Sequence, residues 1–387
     1  MSQNPIPVCP LYIDGTWTTP DGVADASVFN PSRGSVIATV PMCGAKHVDL
    51  AVASAKKAFP GWRDTPPNER AQVLFRVKIL LEDAFDELCL GISTEHGKTL
   101  SEARGDLRRG IEVVEFACGI PTLLMGESLE NIARGIDCHT DRHPLGVVAG
   151  ICPFNFPALV PMWMWPVAIA CGNTFILKPS EKVPHTMQRI VGLLEKAGLP
   201  PGVMNIVHGG RECVDALLEH PDVKAISFVG STPVAREIHR KGTSNGKRVQ
   251  AAGGAKNFII LMPDADIDRT VEAVKDGAFG CAGERCMAGS TAVAVGEAAD
   301  RLLPPLADLV ASMKIGPTDV ASGQPDMGAV ISSEHRTRVA GLIDQGEAAG
   351  AKVLTDGRKS KVDEAPEGFY LGPTLIDEVA PHNPLMS

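Results

Sequence analysis

One cysteine in this sequence stands in surroundings that suit a nucleophile. Cys286 follows Arg285 within a run of mostly small residues, 280–288. Small neighbours leave the sulfur accessible, and the adjacent guanidinium favours the thiolate, which is the reactive form of cysteine. A thiolate adds to a carbonyl carbon, and the oxyanion that develops needs hydrogen-bond donors. We expect the side-chain amide of Asn155 and the backbone amide of Cys286 to be those donors.

The other cysteines and the composition exclude several kinds of function. The 387 residues include 10 cysteines but no C-x-x-C pair and no H-E-x-x-H helix, so we predict reduced thiols and no metal site. The net charge is −9 and the sequence has no basic run, so it lacks the positive surface with which proteins bind nucleic acid. The N-terminus has no signal-peptide pattern, and we expect a cytoplasmic protein. Eight cysteines are expected to be structural: Cys9, Cys43, Cys89, Cys118, Cys138, Cys171, Cys213 and Cys281.

The residues between His143 and Lys178 carry no full charge, and this stretch is long enough to cross a bilayer. Prolines interrupt it repeatedly, and each internal proline disfavours a continuous helix. We therefore predict a buried strand, a loop, a short helix and a second strand here, with no membrane association.

Short apolar runs alternate with helical patterns from Gly146 onwards. The predicted strands are 146–151, 174–177, 203–207, 225–229, 258–261 and 291–295, and the predicted helices are 185–197, 211–219, 233–241, 267–279 and 298–313. Non-alternating apolar strands separated by helices indicate a parallel sheet covered on both faces, which is a doubly wound α/β fold. A second α/β block begins near Phe258. The N-terminal part predicts a hairpin over 11–17 and long helices over 48–62, 68–92 and 97–124.

Two predicted strand ends could bind a dinucleotide, although the G-x-G-x-x-G pattern is absent. Gly230 and Ser231 end a strand and open a helix, where backbone amides can bind an anion. Lys178 and Glu181 follow another strand and could hold ribose hydroxyls. A plain helix cap at Ser231 and a solvated turn at Lys178 explain the same residues without a ligand.

Several motifs together resemble the aldehyde dehydrogenase superfamily. They run in register over most of the chain, from Leu11 to Ser387: Pro153-Phe154-Asn155-Phe156-Pro157, Lys178-Pro179-Ser180-Glu181, Phe228-Val229-Gly230-Ser231, Gly283-Glu284-Arg285-Cys286-Met287-Ala288 and Phe369-Tyr370-Leu371-Gly372-Pro373-Thr374. The resemblance implies that an aldehyde forms a thiohemiacetal on Cys286, which then gives up hydride to NAD.

Within the superfamily the sequence is most similar to the CoA-acylating methylmalonate-semialdehyde dehydrogenases. Gly254-Ala255-Lys256-Asn257 and the segment around Cys286 are typical of that branch. Hydrolytic members carry a glutamate base where this chain has Ala252, and without that base water is poorly activated. CoA, whose thiol is a better nucleophile, is the implied acyl acceptor and co-substrate.

The resemblance also assigns roles to individual residues. It implies that the NAD site is lined by Cys152, Phe154, Lys178, Glu181, Lys182 and Ser231, and that Arg109 and Arg285 hold the substrate carboxylate. Arg109 could equally be a solvated charge on a helix face. The implied domains are an NAD-binding domain over 8–123 and 144–250, a bridging and oligomerisation segment over 124–143, and a catalytic domain over 251–387. A homo-oligomer, typically a tetramer, is implied as well.

We therefore expect NAD-dependent oxidation of methylmalonate or malonate semialdehyde to propionyl-CoA or acetyl-CoA with release of carbon dioxide, within valine or inositol breakdown. Family members continue past Ser387 to a Glu-x-Phe-Gly-Pro motif that contacts the nicotinamide ribose, so the catalytic domain is expected to be C-terminally truncated. Two alternatives stay open: an inactive remnant that keeps the NAD-binding fold, and a hydrolytic semialdehyde dehydrogenase.

Overall fold

The computed structural model describes residues 6–386. Its helices are α1 Ala45–Asp64, α2 Pro67–Asp83, α3 Phe85–His96, α4 Leu100–Cys118, α5 Ile120–Leu123, α6 Leu159–Ala170, α7 His185–Lys196, α8 Arg211–Glu219, α9 Thr232–Ser244, α10 Ile267–Phe279, α11 Ala298–Ser312 and α12 Ser333–Ala348. Its strands are β1 Leu11–Ile13, β2 Thr16–Thr18, β3 Asp25–Asn30, β4 Ser35–Pro41, β5 Ser128–Ala133, β6 Ile136–His139, β7 Val147–Ile151, β8 Thr174–Lys178, β9 Met204–Ile206, β10 Val223–Val229, β11 Arg248–Ala252, β12 Phe258–Leu261, β13 Thr291–Ala294, β14 Lys352–Thr355 and β15 Leu375–Asp377.

The chain forms two compact units. The first unit comprises Met1–Val28, Ala38–Leu88 and Gly105–Gly253, and the second comprises Phe29–Ile37, Cys89–Arg104 and Gly254–Ser387. The domain bounds that the resemblance implies stay a prediction.

The first unit is built on a seven-stranded sheet in the order β11-β10-β7-β8-β9-β1-β2. The first five of these strands run parallel, whereas β1 pairs antiparallel with β9 and β2. The strands β7, β8 and β9 are buried at every position, as expected for strands covered on both faces. The predicted doubly wound α/β architecture is confirmed.

The order of the strands creates a crevice at one edge of this sheet. From β7 the chain proceeds outward to β8 and β9, and it then returns to the other side of β7 to form β10 and β11. A ligand in such a sheet binds beyond the carboxyl ends of the two strands where the direction of winding reverses. Here those strands are β7 and β10.

The sequence located most elements of the first unit but missed where two helices break. The predicted hairpin is β1–β2, whose turn places Asp14 and Gly15 at φ 52° and 76°. The single helix predicted over 68–92 is two helices, α2 and α3, which meet at Ala84. The helix predicted to begin at Gly97 begins at Leu100, because Gly97 adopts φ 90° and Thr99 and Glu102 form a capping box.

The uncharged stretch before Lys178 folds as predicted, into β7, a loop, the 12-residue helix α6 and β8. Among the described residues, no helix has both the length and the apolar character needed to span a membrane.

A buried arginine ties α2 to the ends of α1 and α6. Arg70 is 4% exposed and its guanidinium donates to three backbone carbonyls, those of Ala170, Arg63 and Thr65. Helix ends leave carbonyl groups without partners inside the helix, and the guanidinium satisfies them where water has no access.

A buried histidine follows β9. The Nε2 atom of His208 lies 3.1 Å from the carbonyl oxygen of Pro10 and 3.3 Å from Nε2 of Gln188. Burial lowers the pKa of His208 to about 3, although the bond to Pro10 opposes that shift. The imidazole is therefore neutral at physiological pH.

The second unit contains the parallel pair β12–β13, covered by α10 and α11. The apolar residues beneath these helices form a core that includes Leu261, Val271, Leu302 and Leu306. The sequence predicted these four elements to within a residue or two. It did not predict α12, the antiparallel pair β14–β15, or the hairpins β3–β4 and β5–β6.

Candidate active site

Cys286 lies just beyond a tight left-handed turn that follows α10. Helix α10 ends at Phe279, and a 3-10 turn spans Gly280–Gly283. Within it Cys281 and Ala282 both adopt φ 51°, and Gly283 adopts φ 79°. This reversal of the chain leaves Cys286 half-buried rather than enclosed in the core. Its thiol thus has the partial exposure that a nucleophile requires.

The backbone around Cys286 is held by a side chain whose role the sequence analysis missed. The Nδ2 atom of Asn257 donates to the carbonyl oxygens of Cys286, at 3.0 Å, and of Ala288, at 3.1 Å. One amide group thereby fixes the residues on both sides of Met287. Asn257 belongs to the Gly254–Asn257 motif that the sequence analysis singled out, so the motif pointed to the residue without revealing its contact.

Arg285 is partly buried and binds groups of the second unit. Its Nε lies 3.4 Å from Sγ of Cys281, Nη1 donates to the carbonyl of Asp276 at 3.2 Å, and Nη2 donates to Oε1 of Glu102 at 3.3 Å. A guanidinium has five N–H donors, so three contacts leave two for another partner. A Cβ at Gly280 would lie 2.3 Å from Cζ of Arg285, so a larger residue there would displace the guanidinium. The substrate-binding role of Arg285 stays a prediction.

Glu102 connects α4 to this turn, and the sequence analysis did not identify it. Its Oε1 accepts the backbone N–H of Cys281 at 2.6 Å, while Oε2 accepts that of Thr99 at 2.8 Å. The side chain of Glu102 thus caps α4 and holds the first left-handed residue of the turn at the same time. The Thr-x-x-Glu spacing is a capping-box signal that the sequence did contain.

The other cysteines are mostly enclosed, as predicted. Of those assigned a structural role, only Cys138 and Cys171 are half-buried, and the other six are buried. Burial raises the pKa of the Cys43 thiol to about 11 and that of the Cys213 thiol to about 12. Burial likewise raises the pKa of Cys281. These thiols stay protonated and unreactive at neutral pH.

The crevice of the first unit brings together the residues predicted to bind the dinucleotide. Ile151 pairs with Lys178 on one side and with Phe228 on the other, so the segments that follow β7, β8 and β10 start at the same edge. The residues of these segments are Cys152, Phe154, Asn155, Lys178, Glu181, Lys182 and Ser231. Cys152 is buried against Met164, with Sγ 3.7 Å from Sδ, and burial raises the pKa of its thiol.

Lys178 and Glu181 form an ion pair at this edge. The Nζ atom of Lys178 lies 3.2 Å from Oε2 of Glu181, and the lysine side chain is only 6% exposed. Burial alone would raise the pKa of Glu181, but the charge of Lys178 and several hydrogen bonds lower it overall. Lys182 lies with Nζ 5.4 Å from the ring centroid of Phe154, within range of a cation–π interaction. This side of the crevice therefore presents fixed charges and a half-buried aromatic ring.

Ser231 begins the other side of the crevice, at the N-terminus of the 13-residue helix α9. It is exposed and makes no side-chain capping bond, so its hydroxyl is not consumed by the helix. A Cβ at Gly230 would lie 2.4 Å from Cζ of Phe228, so a larger residue there would displace that ring. A phosphate-bearing ligand suits this arrangement, because helix N-termini attract anions.

Asn155 and Arg109 both belong to the first unit. Asn155 is half-buried in the loop between β7 and α6. The end of that loop is fixed by buried Asp106 on α4, whose Oδ1 accepts the backbone N–H of Leu159 at 2.7 Å. Arg109 is exposed one turn further along α4. Asp106 was not among the residues predicted from the sequence, and the roles of Asn155 and Arg109 stay predictions.

The structure offers no metal centre in its described part. Between residues 6 and 386 no group of three histidine, cysteine, aspartate or glutamate side chains could hold a metal ion.

Comparison with known proteins gives the class to which this fold and site belong. The profile of the aldehyde dehydrogenase family matches residues 17–387. The malonate-semialdehyde dehydrogenase of Pseudomonas aeruginosa is 52% identical over 362 residues, which span 93% of this chain and 72% of that relative. The chain therefore belongs to the aldehyde dehydrogenase family, whose enzymes are oxidoreductases, and the predicted resemblance and fold are confirmed.

Solved structures agree with this assignment. Methylmalonate-semialdehyde dehydrogenase from Oceanimonas doudoroffii superposes with a TM-score of 0.95 at 49% identity, covering 97% of this chain and 77% of that one. A protein from Sinorhizobium meliloti 1021, provisionally assigned as a methylmalonate-semialdehyde dehydrogenase and complexed with NAD, gives a TM-score of 0.96 at 45% identity, covering 99% and 78%. A further relative, malonate-semialdehyde dehydrogenase 1 of Oceanobacillus iheyensis, is 47% identical over 368 residues, which span 95% of this chain and 75% of that relative.

Proposed function

We propose that this chain oxidises malonate or methylmalonate semialdehyde with NAD, through a thioester on Cys286, and passes the acyl group to CoA. The observation that carries the proposal is the half-buried Cys286 thiol on a turn whose backbone is fixed on both sides by side-chain hydrogen bonds. A nucleophile in a defined position can attack a bound carbonyl without a further ordering cost.

The residues of the crevice fit a dinucleotide. The N-terminus of α9 with Ser231 suits the pyrophosphate, and the Lys178–Glu181 pair suits the hydroxyls of a ribose. When bound, NAD supplies the hydride acceptor. Lys182 and Phe154 add a cation and an aromatic surface on the same edge.

The protein groups then act in sequence on the substrate. The Cys286 thiolate adds to the aldehyde carbon, and the amides of Asn155 and Cys286 stabilise the oxyanion. Hydride leaves that carbon as the thioester forms. The thiol of CoA next attacks the thioester and the Cys286 thiolate leaves. The substrate carboxylate is lost as carbon dioxide, and the carbon that carried it takes up a proton, so the product is acetyl-CoA or propionyl-CoA.

Transfer to CoA rather than to water is supported by the residue at the end of β11. Ala252 stands where hydrolytic relatives have a glutamate, and it pairs with Val229 of β10. A methyl group accepts no proton, so it does not activate water.

A pair of cysteine variants tests the nucleophile. Purified protein is incubated with malonate semialdehyde, NAD and CoA, and the formation of NADH is followed. Cys286→Ala is expected to abolish it, whereas Cys138→Ala, a change at another half-buried cysteine, is expected to leave it intact. Equal NADH formation by Cys286→Ala would overturn the assignment. Turnover without CoA would favour a hydrolytic enzyme, and NAD binding without turnover an inactive remnant.

A second pair of measurements tests Arg109. Arg109→Ala is expected to raise KM for malonate semialdehyde about tenfold, since it removes a charged hydrogen-bond partner of the carboxylate. The KM for propanal, which has no carboxylate, should not change. A parallel rise for both aldehydes would show that Arg109 does not recognise the carboxylate.

We also propose that the chain acts in the cytoplasm as a homo-oligomer. The hairpin β5–β6 supports assembly, because every residue of β5 is exposed, including the apolar Leu129 and Ile132, and Ile136 of β6 is exposed as well. Light scattering tests this: Ile132→Asp should lower the molar mass if the hairpin lies in an interface.

A further inference from the structure

A buried acidic residue lies two positions before the nucleophile. The side chain of Glu284 is only 2% exposed, and its Oε1 accepts the backbone N–H of Ile331 at 3.1 Å. The same oxygen lies 3.4 Å from Nε2 of His335, and Oε2 lies 3.8 Å from Nε2 of buried His96. A carboxylate enclosed in this way is costly unless polar groups compensate it, so its position beside Cys286 requires an explanation.

The partners of Glu284 lie at the start of α12. Ile331 immediately precedes Ser332, the N-cap of this 16-residue helix, and the hydroxyl of Ser332 accepts the backbone N–H of His335 at 3.2 Å. Ile331 lies two residues before the helix, near a helix N-terminus, which attracts negative charge. The carboxylate therefore binds the segment that leads into α12 through a backbone donor.

The turn that precedes Glu284 needs such an anchor. Cys281 and Ala282 are non-glycine residues in the left-handed region, where each costs roughly 1–2 kcal/mol. Such a conformation persists only where the surroundings enforce it. Glu102 holds the first residue of the turn and Asn257 holds the chain after it, at Cys286 and Ala288. Glu284 is the contact between these two, and it links the turn to α12.

We propose that Glu284 is a positioning residue for the reaction at Cys286, since its carboxylate fastens the nucleophile turn to the N-terminus of α12. This inference rests on the proposed function. The contact that matters is the hydrogen bond from the N–H of Ile331 to a side-chain oxygen, which must lie as far from the backbone as in glutamate. A glutamine keeps such an oxygen, an aspartate carries the charge on a chain one methylene shorter, and an alanine has neither.

Three substitutions separate positioning from simple destabilisation. Glu284→Gln should keep kcat within about threefold of the parent, whereas Glu284→Asp and Glu284→Ala should lower it by about tenfold or more, as misplaced reacting groups do. Glu334→Gln is the matched control, because it makes the same change on an exposed glutamate in the first turn of α12 and should leave kcat unchanged.

The experiment uses the full chain and compares three readouts. These are kcat for NADH formation with malonate semialdehyde, the Kd for NAD, and the rate at which iodoacetamide alkylates Cys286 without substrate, measured by peptide mass spectrometry. We expect the Kd and the alkylation rate to stay within about twofold in each folded variant while kcat falls in the aspartate and alanine variants only. Should the alanine variant fail to fold, the aspartate and glutamine variants decide the question.

Several results would overturn the role of Glu284. One is a kcat for Glu284→Asp that matches the parent. Another is a kcat for Glu284→Gln as low as that for Glu284→Asp. A third is a loss of NAD binding and alkylation in proportion to kcat, which a merely structural role produces. If the unsubstituted chain forms no NADH, the proposed function fails and takes this role with it. If the parent forms NADH and all Glu284 variants have the same kcat as the parent, the role of Glu284 is refuted and the proposed function stands.

Discussion

Replacing Asn257 by alanine or aspartate should loosen the nucleophile segment by an amount that the structure allows us to calculate. Asn257 donates two hydrogen bonds, at 3.0 Å and 3.1 Å, to the carbonyls of Cys286 and Ala288. At a net contribution of about 1 kcal/mol each, their loss in Asn257→Ala costs about 2 kcal/mol. Asn257→Asp has nearly the same shape but presents an acceptor oxygen to two carbonyl oxygens, so it should cost at least as much.

The same 2 kcal/mol sets a limit on the catalytic effect. If the whole cost falls on the placement of Cys286 in the transition state, kcat drops about 30-fold. If it falls on folding instead, the free energy of unfolding drops by about 2 kcal/mol and kcat of the folded protein is unchanged. Urea denaturation and initial rates of NADH formation on the same samples divide the effect between the two.

A surface asparagine provides the control for this experiment. Asn245 donates to the carbonyl of Lys241 at 2.9 Å at the exposed end of α9. Asn245→Asp should therefore change stability by no more than about 0.5 kcal/mol and leave kcat as it is. Wild-type kcat and wild-type stability in Asn257→Asp would refute the reasoning, because the two carbonyls would then have no need of a donor.

Three further changes test other parts of the structure. Arg70→Met removes the donors to three backbone carbonyls and should lower the free energy of unfolding by about 3 kcal/mol in a urea titration; a loss below 1 kcal/mol would contradict this. The pKa of His208 is depressed to about 3 in the folded state, so its stabilising effect is complete above the unfolded pKa and is lost as the pH falls. Between pH ~6.5 and pH ~4 this should remove up to about 3 kcal/mol of stability, and His208→Gln should flatten that slope in denaturation curves. Gly280→Ala would place a Cβ 2.3 Å from Cζ of Arg285 and displace its guanidinium, so kcat/KM for malonate semialdehyde should fall about tenfold more than that for propanal. Equal losses for both aldehydes would show that Arg285 does not select the carboxylate.

The sequence predicted those parts of the fold whose pattern is strong over a short distance. Buried strands such as β7 and β8 are continuous apolar runs, and helices such as α8 and α10 repeat apolar residues with a helical period. The break at Ala84 was not predicted, because the helical period of the apolar residues is the same on both sides of the bend. The hairpin β5–β6 was not predicted either, since a strand exposed on both faces does not show the alternation of apolar and polar residues.

The residues of the candidate site also fall into those that the sequence predicted and those that it did not. Residues proposed to carry the chemistry or to bind the cofactor stand out by type and motif, as Cys286, Lys178 and Ser231 did. The residues that hold them in place are far away in sequence: Glu102 binds the amide of a residue 179 positions later, and Asn257 the carbonyl of one 29 positions later. Such pairs are set by the packing of the folded chain, so no local pattern reveals them.

The left-handed turn before the proposed nucleophile affects which residues the chain can carry at position 282. Glycine at position 282 would relieve roughly 1–2 kcal/mol of steric cost, yet it would also enlarge the disorder of the unfolded chain, which takes back about 0.4–1 kcal/mol. At the middle of these two ranges the steric relief exceeds the entropic cost by about 0.8 kcal/mol, so stability alone slightly favours glycine. Compared with glycine, alanine at position 282 restricts the segment to fewer backbone conformations. At this position, we infer, the fold gives up a little stability for a more restricted backbone next to the proposed nucleophile.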